Sequence, residues 1–167
     1  MGTTSCGAND VIMEALHKYS DMVRRICFIY LRSREDVEDV FQEVFLKLLL
    51  TKTVFESEEH QKAWICRVTI NKCKDLCKSF WRKNVESSEE MQIPAEDNDE
   101  SEVMLAVLSL PNKLKEVVYL YYYEGYSAGE IAKLLNQKEN TVYSHLHRAR
   151  KLLKSKLEGE IEYGYSV

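Results

Sequence analysis

The sequence predicts an all-α chain: two small helical domains joined by a flexible acidic linker, the second domain containing a helix-turn-helix. Three observations carry that expectation. Apolar residues recur at helical spacing in almost every segment. Only two prolines and six glycines interrupt the 167 residues. Charge is also segregated, because residues 85–112 hold eight acids (Glu86, Glu89, Glu90, Glu96, Asp97, Asp99, Glu100 and Glu102) and no Lys or Arg. The expected boundaries are a first domain at 1–84, the linker at 85–102, a second domain at 103–158 and a tail at 159–167.

The first helix is expected over 10–31, capped by Asp10, with Val11, Ile12, Ala15, Leu16, Tyr19, Met22, Val23, Ile26, Cys27 and Tyr30 at helical spacing. A second is expected after Ser33. Its buried stripe is Val37, Val40, Phe41, Val44, Phe45 and Leu48, and its outer face carries Asp36, Asp39, Gln42, Glu43 and Lys47. Residues 51–59 read as a loop. A third helix is expected over 61–83, with Ala63, Trp64, Val68, Leu76 and Phe80 packing inward. Residues 86–102 are polar, acidic and contain Pro94, so they have little to bury.

After the linker, Pro111 suits a helix start. Leu114, Val117, Val118, Leu120 and Tyr121 then form an apolar stripe that Gly125 ends. Ser127 and Glu130 stand at capping-box spacing. Asn136 tolerates a left-handed turn. The last helix is expected from about residue 139 to about residue 157.

Composition excludes several classes. No apolar run reaches the roughly 18 residues a membrane helix needs, which predicts no membrane insertion. MGTTSCGAND lacks a basic head followed by an apolar run, so no secretory signal is expected. Five cysteines, at 6, 27, 66, 73 and 77, are an odd number in a chain of this size, which fits a reducing cytoplasm. Cys66, Cys73 and Cys77 fall on roughly one helix face and read as small apolar fillers. No phosphate-cradling Gly loop and no Ser/His/Asp context appears, so the chain is not expected to be an enzyme, and no cofactor or metal site is expected.

The net charge of −4 hides two opposite blocks. Setting aside the eight linker acids leaves 23 bases against 19 acids, a net of +4. Residues 60–84 hold seven bases against Asp75 alone. Arg67, Asn71, Lys74, Lys78 and Arg82 recur along one side of the third helix, a track that suits phosphate.

EIAKLLNQKENTVYSHLHRARKLL, residues 130–153, then explains the second domain. A helix-turn-helix needs a small residue where its helices cross, a turn residue and apolar anchors beyond it. Ala132, Asn136, Val142 and Leu146 meet those needs, with Ile131 and Leu135 on the first helix's core face. Asn140, Thr141, Tyr143, Ser144, His147, Arg148 and Lys151 remain on the outer face of the second. Polar groups there can bond base edges, while Arg148, Arg150, Lys151 and Lys154 can meet phosphates.

The motifs Leu110-Pro111, Gly125-Tyr126-Ser127, Glu130-Ile131-Ala132 and Thr141-Val142 through Arg150 resemble the C-terminal region of bacterial sigma factors. DVEDVFQEVFLKLL, residues 36–49, resembles that family's polymerase-binding helix, and HQKAWICRVTINKCKDLCKSFWRK its promoter-melting segment. The chain as a whole is similar to the two-region sigma-70 factors of the extracytoplasmic-function group. The resemblance implies that Asp36, Asp39, Gln42 and Glu43 face the clamp helices of core RNA polymerase. It implies that promoter DNA is contacted by Arg67, Asn71, Lys74, Lys78 and Arg82 at the downstream element, and by Thr141, Tyr143, Ser144, His147, Arg148 and Lys151 at the upstream one. It further implies that an anti-sigma factor regulates the chain, that the loop with Phe55 and His60 captures unpaired bases, and that part of the Tyr121-Tyr122-Tyr123 run meets the polymerase flap. Trp64, by contrast, reads as core.

Two departures stand out. Tyr143 and His145 occupy positions that are basic in many relatives, and Asn136-Gln137-Lys138 replaces Gly-Ile-Pro at the turn. Both bear on the promoter sequence rather than on the fold. Two rival functions stay open at this stage: an autonomous helix-turn-helix regulator, and a sigma-like decoy that occupies polymerase or a regulator.

Overall fold

The computed structural model describes residues 5–83 and 101–164, with side chains for 7, 9–80 and 102–159. The expected linker thus falls almost wholly outside the described residues, as do residues 165–167. The chain divides into two compact units, 1–92 and 93–167. No strand occurs among the described residues.

The first unit is three helices: α1 (Ser5–Tyr30), α2 (Arg34–Leu50) and α3 (Glu58–Lys83). Helix α1 starts five residues before Asp10, which therefore does not cap it. Nothing from Ser5 to Asn9 stops a helix, since a single glycine, Gly7, costs only about 1 kcal/mol. Ser33 caps α2 as expected, its Oγ accepting the Asp36 N–H at 3.1 Å. Val37, Val40, Val44, Phe45 and Leu48 are buried, while Phe41 lies half-buried beside the Arg24 guanidinium, 4.1 Å from its ring centre. Each full burial contributes about 1.5–3 kcal/mol, so this stripe fixes which face of α2 turns outward.

Ser57 starts α3 earlier than the sequence predicts, its Oγ accepting the His60 N–H at 3.1 Å. Contacts of α1 with α3 climb together along both helices. The Lys18 ammonium meets Glu58, Met22 Sδ lies 3.5 Å from Cys66, Cys27 lies 3.8 Å from Cys73, and the Cys77 thiol points to the Tyr30 carbonyl at 3.4 Å. The two helices therefore run parallel, and α1 ends level with Cys77. Phe80, expected to be core, lies a turn beyond that end and is 43% exposed. The buried residues of α3 are Ile65, Cys66, Val68, Thr69, Ile70 and Cys73. Cys66 and Cys73 are wholly buried fillers, and Cys77 is half-buried. The hydrogen bond to the Cys27 thiol, together with burial, pushes the Cys73 thiol well above its ordinary range, which leaves it inert.

The second unit comprises α4 (Ser101–Leu108), α5 (Asn112–Val118), a π-helical turn at Tyr119–Tyr123, α6 (Ala128–Leu135) and α7 (Glu139–Gly164). Val107, Leu110, Leu114, Val118 and Ala149 form a core cluster, with Leu153 packed against it. In the π turn the Glu124 N–H reaches back five residues to the Tyr119 carbonyl, at 3.2 Å. Gly125, at φ +72°, then ends the segment. The capping box forms in full: Ser127 Oγ accepts the Glu130 N–H and Glu130 Oε2 accepts the Ser127 N–H. Asn136 adopts φ 52°, ψ 51°, the left-handed turn expected of it. Helix α7 continues to Gly164, past the expected end near residue 157.

Candidate functional site

On α2, Asp36, Asp39, Gln42 and Glu43 lie three, six and seven residues apart, which keeps them on one side of a helix with 3.6 residues per turn. Asp39, Gln42 and Glu43 are exposed and Asp36 is half-buried. An open groove runs beside them, lined by Ile12 of α1 and by Phe41, Phe45, Leu46 and Leu49 of α2. Leu46 and Leu49 are 55% and 48% exposed, so the polar groups flank an apolar floor. Glu43 has a partner that the sequence did not disclose: Lys72 of α3 approaches its Oε2 at 3.0 Å. Asp39 has no ion-pair partner among the described residues.

On α3, Arg67, Asn71, Lys74 and Lys78 are separated by four, three and four residues and share a side opposite the buried Cys66, Thr69 and Cys73. Arg67, Asn71 and Lys78 are exposed and Lys74 is half-buried. The side chain of Arg82 lies outside the described residues. Ahead of this helix, Phe55 packs edge-on against both His60, at 5.4 Å between ring centres, and Trp64, at 5.6 Å. The His60 Nδ1 accepts the Glu56 N–H at 3.2 Å. Trp64 is therefore half-buried against the loop rather than inside the core, because Phe55 covers it where a neighbouring helix would otherwise have to.

On α7, Val142, Leu146 and Ala149 are buried, at 0–1% exposure. Tyr143, Ser144, His147, Arg148 and Lys151 are exposed on the other side, and Thr141 is half-buried. Ala132 is buried, at 8%, on α6, a helix that packs on α7. Two residues behave in ways the sequence reading missed. Arg150, expected to meet phosphate freely, donates from Nε to the Tyr122 hydroxyl at 2.7 Å. His145 is half-buried with its Nδ1 enclosed and unpartnered.

The sequence model of sigma-70 region 2 matches residues 15–83, spanning most of α1 and all of α2 and α3. That of sigma-70 region 4 matches residues 100–153, through the helix-turn-helix. The chain belongs to the sigma-70 family. It is similar to the sigma factor SigV of Bacillus subtilis, at 24% identity over 140 residues, covering 81% of this chain and 84% of that one. It is also similar to the extracytoplasmic-function sigma factor SigW of the same organism, at 24% over 170 residues, 90% and 91% of the two chains. Among solved structures, the sigma factor RpoE of Bartonella quintana matches with a TM-score of 0.70 at 20% identity, covering 87% of this chain and 96% of that one. These relatives place the chain in the extracytoplasmic-function group.

Within this sigma factor's region 4, burial pushes the His145 imidazole below its ordinary range. Glu116 of α5 opposes that shift, while Arg148 of α7 and Lys113 of α5 add to it. The fold therefore prefers the neutral ring. Above pH of about 6.5 both folded and unfolded chains are neutral there, and below it the unfolded chain takes the proton first. Stability should thus fall as pH drops through that value. Thermal melting at pH 7.5 and 5.5 should show a smaller acid-induced drop for His145→Gln than for the wild type, and parallel curves would mean that the ring titrates normally.

Proposed function

We propose that this chain binds core RNA polymerase through its region 2, directs it to a specific promoter and assists opening of that promoter, under the control of an anti-sigma factor. The observation that carries this reading is the pair of surfaces in the family's order. Helix α2 exposes Asp39, Gln42 and Glu43 beside an apolar groove, and α7 exposes Tyr143, Ser144, His147, Arg148 and Lys151 over a fully buried stripe. Acidic groups around an apolar floor suit a basic helix of a partner. Exposed hydroxyl, imidazole and guanidinium groups on a helix anchored from behind suit base edges and phosphates in a major groove.

The basic side of α3 and the aromatic group Phe55, His60 and Trp64 complete the reading. Arg67, Asn71, Lys74 and Lys78 would track a DNA backbone, and the aromatic rings offer π faces for bases freed by melting. Regulation by an anti-sigma factor is supported by the Bartonella quintana relative in fold, whose structure was solved in complex with one. The nucleotide chemistry belongs to the polymerase, and we assign the chain no reaction of its own. Among the described residues no helix is long and apolar enough to cross a membrane. A factor that works beside polymerase acts in the cytoplasm.

Transcription reconstituted from core polymerase, this protein and a pool of promoter fragments tests the proposal. Transcripts with defined starts should appear only when the protein is present. Polymerase binding without transcripts would instead mark a decoy. Sequence-specific DNA binding indifferent to polymerase would mark an autonomous regulator.

A further inference from the structure

Arg150, a basic residue of the recognition helix, is tied by the structure to another segment of its unit. Its Nε donates to the Tyr122 hydroxyl at 2.7 Å, and its Cζ lies 5.8 and 5.7 Å from the ring centres of Tyr121 and Tyr122. Both Arg150 and Tyr122 are exposed, Tyr122 at 54%, so this contact adds little to stability. It does fix a side chain that otherwise samples many rotamers.

Position on the helix says what the fixed group is for. Arg150 follows Ser144 by six residues, which turns it about 240° around α7, onto the flank between the reading face and the buried stripe. A flank residue on a helix lying in a major groove meets the sugar-phosphate strand, not base edges. With Nε taken up by the Tyr122 phenol and Tyr121 also bonding the guanidinium, its outward N–H donors are left to meet phosphate oxygens.

Resting on the reading of α7 as the DNA-contacting helix, we infer that Arg150 is a phosphate-binding residue held ready by Tyr122, and that Tyr122 is a positioning residue for DNA binding. The phenol orders the guanidinium before DNA arrives. The entropy of ordering it is then not lost at the moment of binding.

The test measures binding of the full-length protein to a mixed-sequence duplex of about 20 base pairs by fluorescence anisotropy, across a salt series. Arg150→Ala should weaken binding and make the slope of log K against log salt shallower by about 0.9, the value for one lost phosphate contact. Arg150→Lys should restore the slope without restoring the full affinity. Tyr122→Phe keeps the ring and the charge. It should leave the slope and the melting temperature unchanged while weakening binding about 2- to 10-fold, the factor for one newly immobilised side chain. In the Arg150→Ala background, Tyr122→Phe should have no further effect.

An unchanged slope in Arg150→Ala overturns the phosphate role. Full affinity in Tyr122→Phe, or an equal loss in the Arg150→Ala background, overturns the positioning role. Absence of any wild-type binding at low salt overturns both. Failure of the wider sigma-factor reading would show separately, as missing polymerase-dependent transcripts from a protein whose binding to duplex DNA is intact.

Discussion

Leu146→Ala should destabilise the second unit by about 2–5 kcal/mol, the cost of deleting a buried leucine side chain and leaving its cavity. Leu146 is 1% exposed and lies on the stripe Val142, Leu146 and Ala149, along which α7 packs on α5 and α6. The unit is small, and small folds bury too little apolar surface to spare that much. The melting temperature of the unit should fall by roughly 10 °C or more. Leu152, on the same helix but 40% exposed, provides the comparison: Leu152→Ala should stay within about 0.5 kcal/mol. Circular dichroism melts of the two variants decide the matter, and equally small shifts would mean that α7 is not anchored through Leu146. Binding to DNA should follow stability here, because a reading helix without its anchor no longer holds Tyr143, Ser144 and Arg148 in one orientation.

Most features governed by local chemistry were legible in the sequence, Asp10 being the exception because α1 runs on through it to Ser5. Ser33, the Ser127–Glu130 box, Gly125 and Asn136 act through their own or nearby backbone groups, and each does in the structure what its type and position predict. The buried and exposed sides of α2 and α7 were legible for the same reason, since helical periodicity alone sorts them. Ser57 was readable in principle as a cap three residues before His60, but the polar run around it masked the start of α3. Phe80 was misjudged because periodicity says which side of a helix faces inward and not where the neighbouring helix ends. His145 carried a usable signal, lying three residues after Val142 and four before Ala149, at the edge of the buried stripe. The partners of Glu43 and Arg150 carried none. Lys72 and Tyr122 are 29 and 28 residues away in sequence, and only the packing of α2 on α3, and of α7 on the segment around Tyr122, brings each pair together. The site's faces were thus legible and its side-chain pairings were not.

Reversing the charge of α2's outer face, with Asp39→Lys and Glu43→Lys together, should lower affinity for core polymerase by about 100-fold or more. Like charges brought together across an interface cost several kcal/mol, and each 1.4 kcal/mol is a factor of ten. The effect is compounded locally. Lys72, now paired with Glu43 at 3.0 Å, would lose its partner and join the repulsion, leaving three cations around the groove where two acids and one cation stood. Because both altered residues are exposed, the fold should be affected by no more than about 0.5 kcal/mol at Asp39 and about 1 kcal/mol at Glu43, where the ion pair to Lys72 is lost. Binding to mixed-sequence duplex should be retained or strengthened, since the change adds positive charge near a polyanion. That opposite response excludes unfolding as the cause of any loss. Asp21→Lys, at an exposed acid of α1, should leave polymerase binding near wild type. Titration of fluorescently labelled protein with core polymerase reads all three chains. An affinity of the double variant within threefold of wild type would remove α2's acidic face from the polymerase interface, and with it the central contact of the proposed function.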